Sequence, residues 1–176
     1  MTNLLRKGWA GVAVGTDVLA AAFTLALVIL VLANVVARYA FSTGLDWADE
    51  LTRLAFMWVV FLGAFVALRR GAHLSLTALV DRLPLRARSI VLLVGELLAA
   101  AFLGYLVYGS VGLLQQALEF DTRSPILGIS VAWSYLPLTV SSALMLVHVL
   151  GQVITATQNL LRGTDPAPDG EEVVPT

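Results

Sequence analysis

Residues 47–70, WADELTRLAFMWVVFLGAFVALRR, pass from acidic side chains through an apolar run to an arginine doublet. The apolar part, Leu51 to Leu68, approaches the roughly 20 helical residues that cross the hydrocarbon core of a bilayer. The charged ends would then lie in water on opposite sides. This segment therefore predicts a membrane-spanning helix.

Three further apolar runs of similar or greater length occur along the 176 residues. The chain is 59% hydrophobic and 13% charged, whereas a soluble domain is about half apolar and a quarter charged. A soluble bundle of buried helices is disfavoured, because four long runs hold so few internal charges. We predict an all-α integral membrane protein with spans at about 18–39, 51–68, 89–114 and 129–154. Since the first run follows Arg6 and Lys7 without a clear cleavage site, we expect it to stay as a signal anchor.

The basic residues predict the orientation of these spans. With the N-terminus inside, eight lie on the inner side: Arg6, Lys7, Arg69, Arg70, Arg82, Arg86, Arg88 and Arg162. Three lie on the outer side: Arg38, Arg53 and Arg123. Cytoplasmic segments carry the excess of Lys and Arg, so both termini are predicted to be cytoplasmic.

The connections between the spans are short. Between spans two and three, Leu76, Leu79, Val80 and Leu83 share one helical face, which predicts an in-plane amphipathic helix over about 75–83. An ordinary loop is the alternative. Residues 1–162 form the predicted four-helix membrane domain, and 163–176 a disordered acidic cytoplasmic tail. No segment could fold as a separate catalytic domain, and cysteine is absent, so we expect no enzyme activity, metal site or cofactor.

The start of the second span carries several polar residues. Asp46 is a plausible N-cap, and Asp49 and Glu50 suit the positive end of the helix. Arg53 follows them by four and three residues, which is close enough to pair with either. Trp47 suits the membrane interface. The cluster is either a capped helix start or a polar contact point for a partner protein.

Polar groups inside the spans form a second set of candidates. Glu96 and His148 lie at similar predicted depths, so they could form an intramembrane pair that serves packing or a proton or ion relay. His73 and His148 could instead be axial haem ligands, although His73 falls just beyond the arginine doublet. Ala100 and Gly104 have the spacing that permits close helix contact, within this chain or with another. Pro137 should bend the fourth span.

The order and spacing of several motifs resemble the DctQ-type small membrane subunit of tripartite ATP-independent periplasmic (TRAP) transporters. The resemblance covers about residues 20–155. It rests on Glu50 and Arg53 at the entry of span two, Phe61 and Gly63 within it, Arg70-Gly-x-His73 after it, and the Ser-Pro-x-Leu-Gly stretch before span four.

The resemblance implies a multi-pass protein of the bacterial inner membrane that works in a complex. Its partners would be a large multi-spanning subunit and a periplasmic substrate-binding protein, together with membrane lipids. The small subunit would brace the large one and help the binding protein dock in sodium-driven import of organic acids. Candidate partner contacts are Asp46, Trp47, Asp49, Glu50, Arg53, Trp58, Gly63, Arg70, His73 and Gly104. Alternatives are a haem- or quinone-binding anchor subunit of a respiratory enzyme and a self-contained small exporter.

Overall fold

The computed structural model describes residues 2–41, 44–71 and 85–162, which hold four long α-helices. These are α1 (Thr2–Phe41), α2 (Asp46–Arg69), α3 (Leu85–Glu119) and α4 (Ala132–Arg162). Each is long and apolar enough to cross a membrane, which confirms the predicted all-helical class with four spans. The predicted in-plane helix and acidic tail fall outside the described residues.

The four helices form an open row. Within the described ranges, α1 packs on α2, α2 packs on α4, and α4 packs on α3. Helices α1 and α3 therefore stand at the two edges of the row. We call the end where α1 and α3 finish and α2 and α4 begin the loop end, and the opposite end the terminal end.

Small side chains, together with the larger Leu62, Phe65, Leu103 and Val149, make the contacts inside this row. Ala48, Ala55 and Leu62 are buried along α2 at a spacing of seven residues, which keeps one face of the helix toward its neighbours. Helix α3 repeats the spacing with Leu103, Ser110 and Ala117. Lipid tails are as apolar as these residues, so close packing of small side chains, rather than the hydrophobic effect, holds membrane helices together. In α4 the buried residues are Ala132, Pro137, Ser141, Ser142 and Val149.

Helix α2 starts one residue earlier than predicted, so the assignment of Asp46 as N-cap is wrong. Leu45 is the N-cap, and no side chain makes a capping hydrogen bond there. The Leu45 carbonyl accepts hydrogen bonds from the backbone N–H groups of Ala48 at 2.9 Å and Asp49 at 3.3 Å. Asp46 is consequently already helical and contributes only its charge to the first turn.

The connection from α3 to α4 is an ordered hairpin-like loop. Helix α3 ends at Glu119. Two residues later Asp121 has a φ of 42°, which lets the Thr122 N–H donate to the Ala117 carbonyl at 3.2 Å, in a Schellman arrangement. Farther out, the Ser124 N–H donates to the Ile129 carbonyl at 2.8 Å. The Val131 N–H donates to the Thr122 carbonyl at 2.9 Å. These bonds fix the loop against the start of α4.

Candidate partner-binding surface

Glu50 ties helix α2 to the α3–α4 loop. Its Oε2 accepts a hydrogen bond of 2.9 Å from the backbone N–H of Leu127, 77 residues along the chain. Leu127 belongs to the Ser-Pro-x-Leu-Gly stretch, and the next residue, Gly128, has a φ of 65° that favours glycine. Two separated pieces of the sequence motif thus meet in one contact at the loop end.

Asp49 is held from the other side by α1. The Asn34 side-chain amide donates to Asp49 Oδ1 at 2.6 Å. The same side chain accepts from the Leu45 N–H at 3.2 Å through its oxygen. One side chain of α1 therefore fixes both the cap residue and the first turn of α2.

Arg53 does not form the predicted ion pair with Asp49 or Glu50. Both carboxylates accept hydrogen bonds from other parts of the fold. Among the described residues, Arg53 is exposed and makes no ion pair or hydrogen bond. Its guanidinium remains available at the loop end.

A groove of about 290 Å³ opens beside these residues. Its wall comes from the first turns of α2, the α3–α4 loop and the first turn of α4. Arg53 and Arg123 line it together with Glu50. The hydroxyl of Ser124, also in the wall, is buried and has no hydrogen-bond partner within the described chain. The rest of the lining is mostly apolar and includes Leu54, Met57, Pro125, Leu127 and Trp133.

A second polar junction joins α1 and α2 at the terminal end. Asp17 accepts hydrogen bonds from Arg69 and from Arg70, the latter at 3.2 Å. The Arg69 side chain is only 17% exposed and that of Arg70 67%. Arg70, a predicted partner contact, therefore forms an ion pair with Asp17 but keeps most of its side chain exposed.

Other predicted contact residues lie in different places. Trp47 is exposed in the first turn of α2. Trp58 lies in the span, stacked on Phe23 of α1 with ring centroids 5.0 Å apart. An added Cβ at Gly63 or Gly104 would meet no atom within 4 Å. His73 lies outside the described residues.

Glu96 and His148 are both half-buried, on the neighbouring helices α3 and α4. Glu96 continues the seven-residue spacing of the buried face of α3. Each of the two side chains makes an interaction within the chain, and a direct pair between them stays a prediction.

Sequence reasoning missed Asn34 and Asp17. Both are polar residues in or beside the first apolar run, and a polar group at such a position is costly without a partner. The sequence therefore already indicated that both residues need a polar partner. It could not name the partners, because these lie on another helix at a register that the packing decides.

A family model described as "Tripartite ATP-independent periplasmic transporters, DctQ component" matches residues 27–159. A Haemophilus influenzae protein provisionally named a TRAP transporter small permease is 29% identical over 77% of this chain and 83% of its own length. The sialic acid TRAP transporter small permease protein SiaQ of Vibrio cholerae is 29% identical over 65% of each chain. The isethionate TRAP transporter permease protein DctMQ of Oleidesulfovibrio alaskensis is 28% identical over 59% of this chain and 16% of its own length.

Proposed function

Since the chain belongs to the DctQ component family of TRAP transporters, we propose that it braces a large membrane subunit and helps a periplasmic substrate-binding protein to dock. It is a multi-pass protein of the bacterial inner membrane, and its family is a transporter component rather than an enzyme. The comparisons give no support to a haem- or quinone-binding anchor.

The exposed face of α3 supports the proposed bracing role. Tyr105 and Tyr108 are 75% and 80% exposed, although Tyr105 is nine residues, about 13 Å, from the predicted end of its span. A tyrosine hydroxyl that faces hydrocarbon lacks a hydrogen-bond partner, which is unfavourable. A helix of the large subunit on this face would supply a polar partner and fill the space beside Gly104.

The length of the DctMQ relative also supports a large-subunit partner. This chain matches only 16% of that permease, so the relative carries a small-subunit-like segment within a much longer protein. A small component that functions when joined to a larger permease segment must lie close to it in the membrane. The same proximity is expected when the two are separate chains.

The loop end supports the docking proposal. Two separate tertiary hydrogen bonds, at Asp49 and Glu50, join this surface to α1 and to the α3–α4 loop, while Trp47 stays exposed. An exposed aromatic ring on a surface fixed in this way resembles known protein contact sites. Under the predicted orientation, this surface faces the periplasm, where the binding protein is.

The transported solute is proposed to be an organic acid. The named relatives transport sialic acid and isethionate, and both solutes are organic anions. Selection of the solute would belong to the partner chains, as the resemblance to the family implies.

Reconstitution tests the proposed function. The large subunit and binding protein should support uptake in liposomes only when this chain is present. The large subunit should also co-purify with it from mild detergent. Full uptake without this chain would contradict the bracing role. If the large subunit co-purifies normally but this chain does not help the complex to bind the substrate-binding protein, the docking role alone would be contradicted.

A further inference from the structure

The loop-end groove combines unlike chemical surfaces within a short distance. At its mouth, Arg53 carries a guanidinium without an ion pair among the described residues, and Arg123, also in the lining, pairs with Asp121 through its Nε. Glu50 uses Oε2 to hold the loop and leaves its other oxygen available. The mouth therefore presents two guanidinium groups, of which Arg53 has no ion pair among the described residues, and one carboxylate.

The groove becomes apolar as it descends along α2. Leu54 and Met57 line it below the charged mouth, and Met57 lies four residues beyond Arg53, about 6 Å deeper along the helix. Trp133 and Tyr135, from the first turn of α4, stand opposite. Aromatic rings of this kind mark the headgroup level of a bilayer. The groove thus runs from the headgroup region into the hydrocarbon.

An occupant must match all three surfaces at once. A phosphate accepts hydrogen bonds from the guanidinium groups of Arg53 and Arg123. An ammonium group next to the phosphate fits the carboxylate of Glu50, whereas a purely anionic headgroup would bring like charge toward it. An acyl chain fits the apolar part. A zwitterionic phospholipid offers these groups in that order, and an acidic protein segment offers only the first.

We propose that this groove is a binding site for one phospholipid with a phosphate-ammonium headgroup. The phosphate lies on Arg53 and Arg123, the ammonium on Glu50, and a chain along Leu54 and Met57. The lipid fills the space between α2 and the α3–α4 loop and so stabilises the loop end that the binding protein is proposed to meet. The site does not depend on that docking role.

The test uses the purified full chain, stripped of lipid in mild detergent and titrated with dioleoyl phosphatidylethanolamine or dioleoyl phosphatidylglycerol. Native mass spectrometry counts bound lipid, and circular dichroism checks the helix content of every variant. We expect one tightly bound phosphatidylethanolamine per chain. Arg53→Gln should weaken it at least tenfold, because a charge-assisted hydrogen bond is lost. Arg38→Gln is the matched control, since Arg38 is exposed on α1 and does not line the groove.

Two further variants separate headgroup from chain recognition. Met57→Trp should block the apolar part and lower lipid binding although the charges are intact. Glu50→Gln should reduce the preference for phosphatidylethanolamine over phosphatidylglycerol. Equal binding by Arg53→Gln and Arg38→Gln, tighter binding of phosphatidylglycerol to the wild type, or unchanged binding in Met57→Trp would each overturn the proposal. It would also fail if the complex with the large subunit, isolated from membranes, carried no such lipid, because a protein segment would then fill the groove.

Discussion

The acidic residues at the start of α2 act through tertiary contacts rather than through their own helix. Asp49 is bound by Asn34 of α1 and Glu50 by the backbone of Leu127. A carboxylate near a membrane needs strong hydrogen-bond donors, because water is scarce there. The backbone amide and the asparagine provide them without adding charge. Arg53 is left free for an external ligand as a result.

The Glu50–Leu127 contact predicts a local effect of Glu50→Ala. The loop amides from residue 124 to residue 131 should exchange hydrogen faster, because the loop loses its bond to α2 and local opening becomes easier. Hydrogen–deuterium exchange in detergent measures this. Glu119→Ala is the control, since Glu119 is exposed at the same end and makes no hydrogen bond with the loop. Equal protection in both variants would show that the Glu50 contact does not hold the loop.

The ion pairs of Asp17 predict a stability difference at the terminal end. Asp17→Asn should lower the thermal midpoint of the detergent-solubilised chain more than Asp46→Asn does. Asp17 binds Arg69 and Arg70 of another helix, and its loss leaves the largely buried Arg69 without a counter-charge. Asp46 is exposed in the first turn of α2. A larger loss in Asp46→Asn would mean that α1 is not fastened to α2 here.

Glu96 and His148 are expected to be structural rather than carriers of protons or ions. Glu96→Gln should retain most solute uptake and cost about 1 kcal/mol of stability, because the amide still forms hydrogen bonds. His148→Gln should behave similarly. If the two side chains touch, the double variant should lose less stability than the two single variants summed. Fully additive losses would show that they do not meet. Abolished uptake in Glu96→Gln, with the complex intact, would make Glu96 a carrier of protons or ions.

At the scale of the helices, α3 has two different faces. Leu103, Ser110 and Ala117 pack inward on α4, while Phe102, Tyr105 and Tyr108 point away from the row. Gly104 lies at the border between these faces, with open space beside it. Close contact within this chain therefore does not explain its small size. An external helix would explain it.

This geometry predicts the effect of Gly104→Leu on assembly. The large side chain should hold a neighbouring subunit away and reduce co-purification of the large subunit severalfold. Gly95→Leu is the matched control. Its position also has open space, and nine residues or two and a half turns place it on the opposite side of α3. Equal co-purification in both variants would mean that the side of α3 with Gly104 faces lipid rather than the large subunit.

At the scale of the whole molecule, the open row leaves much apolar surface for the membrane and for partners. None of the residues in the most apolar window of α1 is buried within the chain. A closed bundle would hide more of each helix and leave less surface for another subunit. The open arrangement is therefore suited to a component whose stability comes partly from its neighbours.

The distribution of Lys and Arg residues predicts how the row of helices is oriented in the membrane. A cysteine that replaces Asp121 at the loop end should react with a membrane-impermeant maleimide added to the periplasmic side. A cysteine that replaces Arg86 should stay unlabelled until the membrane is opened. Labelling of the Arg86 position from the periplasm would invert the topology and place the groove in the cytoplasm.

The sequence by itself determined the class of the protein. Four long apolar runs with charges between them leave little choice, because unsatisfied backbone groups are so costly in lipid that each run must be helical. The spacing of the motifs also indicated the family. Both properties depend on residues close together in the chain, where composition and period carry the information.

Only the tertiary structure decided which polar groups meet. Asp49 and Glu50 lie within hydrogen-bonding reach of Arg53 along the helix, yet Asn34 and Leu127 hold them, and Asp17 pairs with arginines more than 50 residues away. The order of the helices in the row, with α2 beside α4, was equally absent from the sequence pattern. Apolar faces in a membrane do not specify their neighbours, because lipid and protein are nearly equivalent to them. A few small residues and long-range hydrogen bonds make that choice.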